Sequence, residues 1–441
     1  MKDLHSRKVS VGAYAKHLIG RIPEGQVHFS AIELFYWAAC AGTAFIAAYL
    51  QELNYSASLV GIVMALINCI GIVASPIMGS LSDTMGSQRR VFLLCVIVSS
   101  VLFCLVPLLR GTSVVAMTSL ILLLLASMFF KNPTSSLLDS WVVRTVHRRR
   151  TFQYGSVRLM GSIGYATMCI FFGRIAAKTG TQAWTFVFYA VLNIPLIVLC
   201  LVNMAEERRD EAQRKAEKAE AAKNAPAKKS KKAKTAGGQN PLILALKSYY
   251  FRMFLISHEL LGLTLYCMTT FLPYKLVEIA GNSDSLGLVI ALKSYMEIPT
   301  FLFGAAIMRR VNVKKLFPIC AVVFFAEQTI CLFSGQVWLV AISMMMHGFT
   351  YGMYLTCMVN YVSRVTPQEA NASAMTISGS LQLAAGVIGS LIGGVLVDKF
   401  GANGYYAMAM ILQLIAMVVF FIAYPLGRKL GHEEPDLSNM V

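Results

Sequence analysis

The stretch YGSVRLMGSIGYA, residues 154–166, places one arginine at the mouth of an apolar run that is otherwise built from small residues. Small residues at helical spacing let two helix backbones approach closely inside a membrane. Arg158 costs free energy beside such a seam unless it finds an acid or an aqueous cavity. Asp139 is the nearest acid on the preceding apolar segment. Either Arg158 marks the cytoplasmic end of a membrane helix, or Arg158 and Asp139 form the base of a polar site.

The composition indicates an integral membrane protein. Of the 441 residues, 56% are hydrophobic and 14% are charged, whereas soluble domains carry roughly 25% charged residues. The formal net charge of +17 is compatible with nucleic-acid binding, but its placement is not. The basic residues cluster in the N-terminal tail, a central linker and every second short loop, which is the positive-inside pattern of membrane proteins.

Twelve apolar runs are long enough to cross about 30 Å of hydrocarbon as helices of roughly 20 residues. We predict helices at 29–50, 58–80, 91–109, 114–142, 157–177, 183–204, 250–273, 286–308, 316–335, 337–361, 372–396 and 403–424. The predicted fold is therefore all-α, with six-helix halves at 28–204 and 246–424. A basic tail (1–27), a linker (205–245) and a second tail (425–441) lie outside the halves.

The linker differs in composition from both halves. Its first part, 205–223, contains helix formers, and Glu211 precedes Lys215 at a spacing that supports a solvated helix. Its second part, APAKKSKKAKTAGGQNP, cannot bury a core and is predicted to be disordered. The lysines either bind anionic lipid headgroups or simply tether the halves.

The loops set the orientation of the predicted helices. The basic residues that we place in the cytoplasm are Arg89, Arg90, those of 144–150, the linker lysines, Arg309, Arg310, Lys314, Lys315, Arg428 and Lys429. The alternate loops carry isolated cations: Arg110, Lys178, Lys275 and Lys399. An even number of spans then places both termini on the cytoplasmic side. The expected location is a cell membrane, either the plasma membrane or the inner membrane. Two halves joined by a long linker suggest an internal repeat and a rocking transporter, with its site between the halves.

The sequence contains little that is typical of an enzyme. All ten cysteines lie singly in apolar runs without CxxC or CxxH spacing, so we expect neither disulfides nor a metal site. We find no nucleotide-binding loop and no nucleophile constellation. We therefore expect neither catalysis nor a cofactor. The expected partners are a small solute, protons and the lipid bilayer, and we expect the protein to be a monomer.

The sequence GSLSDTMGSQRR follows the second span and combines glycines, an acid at a helix end and two cations. The residues concerned are Gly79, Asp83, Gly86, Arg89 and Arg90. This motif resembles the loop signature of the major facilitator superfamily, with one extra residue before the basic pair. The resemblance implies that these residues form a conformational latch. The second half carries remnants at Gly304 with Arg309 and Arg310, and a related GGVLVDKFG ends at Gly401.

Within that superfamily the chain resembles the lactose permease and oligosaccharide–proton symporter branch. LLDSWVVRTVHRRRTFQYGSVRLMGSIGYA is similar to the fourth and fifth helices of that branch, MMMHGFTYG to the tenth and KSYMEIP to the eighth. The resemblance implies substrate binding at Asp139, Arg158, Tyr165, Glu297 and His347. The linker and the N-terminal tail lie outside it.

Two departures from that branch change the expected coupling chemistry. Thr350 stands one turn after His347, where the branch has a proton-carrying glutamate. Glu327 stands on the ninth helix, where an arginine is expected. The lactose-type pair of an acid and an arginine is therefore missing, and lactose itself is not the expected substrate.

Ionisable residues in the middle of predicted helices independently support a polar site. An ionisable group at a helix centre costs roughly 2.5–3.5 kcal/mol on insertion scales, so it should face a cavity or a partner. Glu297, Glu327 and His347 lie mid-run and are the predicted proton-coupling residues, with Glu327 preferred. The alternatives are a structural pair of Glu297 with Lys293 and a structural role for His347. For Glu259, near its helix end, we favour a structural role.

The sequence leaves three functional hypotheses open. The first is secondary active transport of a small polar organic solute such as a sugar, by alternating access and proton symport. The second is export of amphiphilic compounds by proton antiport, which the 25 Phe and 23 Met residues permit. The third is a membrane sensor without transport. Acids in mid-membrane argue against a sensor, because nothing in that role offsets their cost.

Overall fold

The computed structural model describes residues 25–111, 113–149, 154–202, 241–265, 267–311 and 313–432. The helices of the first half are α1 Gln26–Cys40, α2 Ile46–Glu52, α3 Ala57–Met85, α4 Gln88–Leu105, α5 Val114–Arg149, α6 Tyr154–Thr179 and α7 Trp184–Val202. Those of the second half are α8 Pro241–Lys247, α9 Tyr249–Leu265, α10 Met268–Ala280, α11 Leu286–Arg310, α12 Val313–Phe333, α13 Val337–Val365, α14 Asn371–Phe400 and α15 Ala402–Lys429. Short 3₁₀ segments lie at Ala41–Phe45, Val106–Leu108 and Gln368–Ala370.

The predicted all-α membrane fold is confirmed. Ten helices in the described ranges are long and apolar enough to cross a membrane, and the bent pair α9–α10 makes an eleventh. The helix α13, with 29 residues, corresponds to the remaining predicted span. Most of the predicted N-terminal tail and basic linker lies outside the described residues, and α8 begins inside the predicted linker.

Two predicted spans are interrupted rather than continuous. The first changes to a 3₁₀ turn at Ala41–Phe45 before it continues as α2. The seventh bends by 43° between α9 and α10. Hydropathy alone does not reveal such breaks, because both pieces of each span are apolar. Breaks in membrane helices are tolerated where neighbouring protein satisfies the freed backbone groups.

We call the end of the bundle that carries Arg89 and Arg90 the basic end. Ser87 caps α4 there by accepting a hydrogen bond from the Arg90 backbone N–H at 3.4 Å. Arg89 is buried, and its Nη1 donates to the Cys200 carbonyl oxygen near the end of α7 at 3.1 Å. This motif arginine therefore ties two helices of the same half together.

Lys275 corrects one part of the loop-charge prediction. The sequence places it in a loop, but it lies inside α10 with 2% of its surface exposed. Its Nζ donates to Asn403 Oδ1 at 2.6 Å and to the Leu332 carbonyl oxygen at 3.3 Å. Because these acceptors replace water around the ammonium group, Lys275 connects three helices and does not report orientation.

The two halves touch at the end opposite the basic end. A Cβ on Gly61 of α3 would clash with the Ser390 carbonyl oxygen of α14. Similarly, a Cβ on Gly287 of α11 would clash with the Cys169 carbonyl oxygen of α6. Small residues at both crossings permit this close backbone approach. The pairs α3–α14 and α6–α11 therefore close the bundle at this opposite end.

A carboxylate reinforces this closure. Asp398, near the end of α14, accepts backbone N–H bonds from Ala57 at 2.7 Å and from Ser58 at 2.8 Å. Ser56 accepts from the Leu59 N–H at 3.2 Å, so three of the free N–H groups that begin α3 have partners. An anion at a helix N-terminus is stabilised by the helix dipole. The acid of the GGVLVDKFG sequence thus caps a helix of the other half.

Candidate functional site

A cavity of about 200 Å³ lies between the two halves. Three helices form its wall, with residues Trp37 from α1, Arg158, Gly161, Ser162 and Tyr165 from α6, and Ile290, Lys293, Ser294 and Glu297 from α11. The small residues of the 154–166 stretch leave space for it. Its wall combines two cations, one acid, two hydroxyl-bearing serines and two aromatic rings.

Arg158 packs against an aromatic ring of the first span. Its guanidinium carbon lies 4.1 Å from the centre of the Trp37 ring, an arrangement that stabilises a cation by about 0.5–2 kcal/mol. The Trp37 indole N–H donates to Glu33 Oε2 at 2.9 Å, and Glu33 is completely buried. Gly161 makes room for the indole, because a Cβ there would clash with the Trp37 ring. The orientation of the arginine is therefore set from α1.

The charges around the cavity form two groups. In the first half, the Glu33 carboxyl lies within electrostatic reach of Arg158 and Asp139. In the second half, the Glu297 carboxyl lies within reach of Lys293 and Arg158. Such mutual neutralisation lowers the cost of placing charges in the membrane. It also gives a solute both donors and acceptors on facing walls.

The aromatic residue Tyr165 lies at the side of the cavity. Its ring centre is 6.4 Å from that of Trp37, with an edge-to-face orientation. Two residues further along α6, Thr167 shares a hydrogen bond of 3.0 Å with the Tyr295 hydroxyl of α11. The halves are thus joined by polar contacts directly beside the cavity.

A second polar cluster is buried within the C-terminal half. His347 Nδ1 and Glu327 Oε1 are 2.7 Å apart, and both side chains are almost completely buried. Gln328 Nε2 donates to the same Glu327 oxygen at 3.5 Å, and Ser343 Oγ donates to the Glu327 carbonyl oxygen at 2.8 Å. The His347 ring stacks on Tyr351 with centres 5.7 Å apart.

A hydrogen bond of this length requires at least one proton between the imidazole and the carboxyl group. With one proton on the imidazole and none on the carboxylate, the Glu327–His347 pair has charge −1. A second proton makes the pair neutral overall, whether it is held as an ion pair or as an acid beside a neutral imidazole. The pair can therefore take up and release a proton without breaking its hydrogen bond.

The structure brings some predicted residues together and separates others. Arg158, Tyr165 and Glu297 line the cavity, and their binding of a substrate stays a prediction. Asp139 lies on α5 beside Glu33 rather than on the cavity wall, and His347 faces Glu327 within the half. Neither residue is among those that line the cavity, and their roles in substrate binding stay predictions.

The sequence prediction missed residues of the first span. Trp37 lines the cavity and Glu33 holds its indole group. The signal was present, because Glu33 and Trp37 are four residues apart and so share one helix face. Glu33 lies near the start of its apolar run, so it does not stand out in the sequence as an acid at a helix centre.

The histidine in the seventh span contacts aromatic residues of its own half. His258 Nδ1 lies 2.6 Å from the Tyr354 hydroxyl, and the imidazole stacks on Phe254. Glu259, the following residue, is half-buried and away from the cavity wall. The preference for a structural role at this position remains a prediction for Glu259.

The comparisons with known proteins agree with this architecture. The family model described as the MFS_1 like family matches residues 27–408. The chain belongs to this family. Family and fold are those of a membrane transporter of the major facilitator type, so this MFS_1-like chain is a transporter by both criteria.

Curated relatives of this MFS_1-like transporter are distant but nearly full-length. It is 21% identical to the maltose permease of Geobacillus stearothermophilus over 404 residues, covering 91% of this chain and 95% of that protein. It is also 21% identical to the uncharacterized transporter YwbF of Bacillus subtilis (strain 168), covering 80% of this chain and 82% of that protein.

Solved structures show the same fold at lower identity. The nucleoside transporter NupG has a TM-score of 0.71 and 14% identity, covering 91% of this chain and 98% of that one. The peptide transporter POT in complex with sulfate has a TM-score of 0.63 and 13% identity, covering 93% and 95%. At such identities these matches establish the architecture of the MFS_1-like chain and not its solute.

Proposed function

We propose that this transporter moves a small polar organic solute, such as a sugar, by alternating access coupled to proton symport in a cell membrane. The observation that carries the proposal is the cavity between the halves. There Arg158 and Glu297 face each other with Trp37 and Tyr165 beside them. A planar guanidinium offers paired donors to vicinal hydroxyls, a carboxylate accepts from others, and aromatic rings cover the apolar face of a sugar-like ring.

The neighbouring Glu327–His347 pair supports coupling to protons. The pair is 2.7 Å apart, is buried close to the cavity, and has two charge states that differ by one proton. Glu327 stands where the related permeases place an arginine, so it is the preferred proton carrier. The name of the Geobacillus relative, a maltose permease, is consistent with a sugar-like solute.

The uptake experiment uses the purified full-length transporter in proteoliposomes with an imposed pH gradient. Labelled maltose, uridine and an aromatic acid are offered separately. We expect one class to accumulate, with collapse of the gradient by an uncoupler removing the accumulation. Arg158→Ala vesicles are the control for leak. Equilibration without accumulation would contradict proton coupling, and uptake restricted to the aromatic acid would contradict a sugar-like solute.

An apolar cavity favours the alternative of amphiphile export. It has a volume of about 410 Å³, lies between α11, α12 and α13, and is lined by Met296, Met345, Met346 and Met353 among other apolar residues. Flexible methionines suit ligands of varied shape. An ethidium efflux assay in the same vesicles separates the two functions, because a polar-solute symporter leaves ethidium efflux at the level of empty vesicles.

Alternating access requires that the closure at the opposite end can be exchanged for one at the basic end. Two sequences of identical spacing lie at the required places: Gly79, Asp83 and Gly86 end α3, and Gly394, Asp398 and Gly401 end α14. Both final glycines have positive φ, 65° and 70°. Asp398 caps α3 across the seam, whereas Asp83 is exposed at the basic end. We propose that Asp83 caps the start of α14 when the basic end closes.

Asp398→Ala should therefore weaken closure at the opposite end. Loss of a capping carboxylate costs about 1 kcal/mol, or roughly a fivefold change in the equilibrium between the two states. Spin labels on cysteines introduced at the exposed positions Lys178 and Asp284, in a background without native cysteines, report the separation of the halves. We expect more of the long-distance population with Asp398→Ala and less with Asp83→Ala. Equal distributions in both variants would contradict the exchange of caps.

A further inference from the structure

Lys293 on α11 lies where the cavity and the buried pair come closest. Its side chain lines the cavity together with Glu297, one helical turn further along. Its backbone packs against α13, where a Cβ on Gly348 would clash with the Lys293 carbonyl oxygen. Gly348 directly follows His347. The cavity lysine and the Glu327–His347 pair therefore meet at a single helix crossing.

The charge balance of this region needs a cation. In its singly protonated form the Glu327–His347 pair carries −1, and a buried negative charge without a partner is strongly destabilising. Lys293 is within electrostatic reach of Glu297, Glu327 and His347.

The other ionisable groups around Lys293 do not provide a counter-ion for the Glu327–His347 pair. From α6, Arg158 is stacked on Trp37, and the hydroxyl of Tyr165 and the thiol of Cys169 are neutral groups. From α10, the charged residues lie at the opposite end of the bundle, where Lys275 bonds to Asn403. The acids within electrostatic reach of Lys293 are Glu297, on α11 itself, and Glu327 of the pair.

We propose that Lys293 is the counter-ion shared by the cavity acid Glu297 and the buried Glu327–His347 pair, and that it thereby links solute binding to proton binding. The proposal rests on the proposed function, in which that pair carries the proton. While the pair has charge −1, Lys293 is drawn toward it. When the pair binds a proton and becomes neutral, Lys293 is released to Glu297 and to the solute in the cavity. Solute bound at Glu297 and Lys293 therefore favours the protonated pair.

The test is an infrared pH titration of the purified full-length protein, which needs no solute. The bands of the pair are those lost in Glu327→Gln and His347→Gln. Lys293→Gln should move the midpoint of these bands to higher pH by about one unit or more, because an opposite charge nearby is removed. Lys293→Arg should restore the midpoint. Glu297→Gln should move it to lower pH, because the competing acid no longer holds the lysine.

The control is Lys275→Gln, which removes a buried lysine of the same half at the opposite end. It should leave the midpoint unchanged, and a change there would indicate a general effect of protein charge. The shared counter-ion would be overturned if Lys293→Gln left the midpoint unchanged. It would also be overturned if Glu297→Gln moved the midpoint to higher pH. Absence of any titrating band assigned to the pair would instead overturn the pair as proton carrier, and with it the proposed coupling.

Discussion

Arg158→Ala is expected to weaken solute binding by about a hundredfold or more, the range found when one partner of a buried, hydrogen-bonded charge is truncated. The variant removes the paired donors from the cavity wall and also the cation that stands over the Trp37 ring. Glu33 then remains buried beside Asp139 without that positive neighbour. Binding is measured by equilibrium dialysis of the solute found in the uptake panel, using protein shown to be folded and monodisperse.

Arg158→Lys separates geometry from charge at the same position. Lysine keeps the positive charge but replaces the planar guanidinium with a point charge, which neither stacks on Trp37 nor offers parallel donors. We therefore expect this variant to lose at least tenfold in affinity while folding normally. Near-normal binding by Arg158→Lys would reduce Arg158 to the helix-end anchor that the sequence also allowed. Gln182→Ala, a buried polar residue remote from the cavity wall, provides the control for nonspecific effects.

The helices of this protein were predictable because each one carries its own signal. A run of about 20 apolar residues in a chain with few charges has no stable alternative to a membrane helix. The interruptions at Ala41–Phe45 and between α9 and α10 were not predictable. They depend on which helices pack beside the break. Lys275 was misplaced for the same reason, since only tertiary contacts with Asn403 make an ammonium group acceptable inside α10.

The candidate site was predictable only in part. Arg158 and Glu297 belong to helices of different halves, and no local spacing relates them. Their apolar surroundings in the sequence and the family resemblance each indicated both positions, but neither showed that the two residues line one cavity. The resemblance did not indicate Glu33 and Trp37. It pairs Arg158 with Asp139 of α5, whereas here Arg158 also lies over Trp37 of α1, whose indole N–H bonds to Glu33. Likewise, Glu327 was recognised as a departure, but its hydrogen bond with His347 depends on how α12 and α13 pack.

A proton carrier in a symporter must change its protonation as the cavity alternates between the two sides of the membrane. For the proposed carrier, the 2.7 Å contact between Glu327 Oε1 and His347 Nδ1 accommodates a hydrogen bond with either one or two protons on the pair. Glu327→Gln fixes the neutral state, and an amide has nearly the shape of a protonated carboxyl group. Its oxygen or nitrogen can still pair with His347 Nδ1, so packing around the buried pair should be preserved.

Glu327→Gln should therefore retain solute binding and exchange while losing accumulation driven by a pH gradient. We expect counterflow of the transported solute within about twofold of wild type, and at least a tenfold loss of pH-driven accumulation, because the fixed neutral pair no longer carries a proton. Both are measured in the same proteoliposome preparation. Glu278→Gln is the control, since Glu278 is an exposed acid of the same half, and it should keep both activities. Accumulation by Glu327→Gln when pH alone supplies the gradient would exclude Glu327 as the coupling residue and leave Glu297, Glu259 or uniport without coupling as the next candidates. Loss of counterflow together with accumulation would show instead that Glu327 is needed for the conformational change itself.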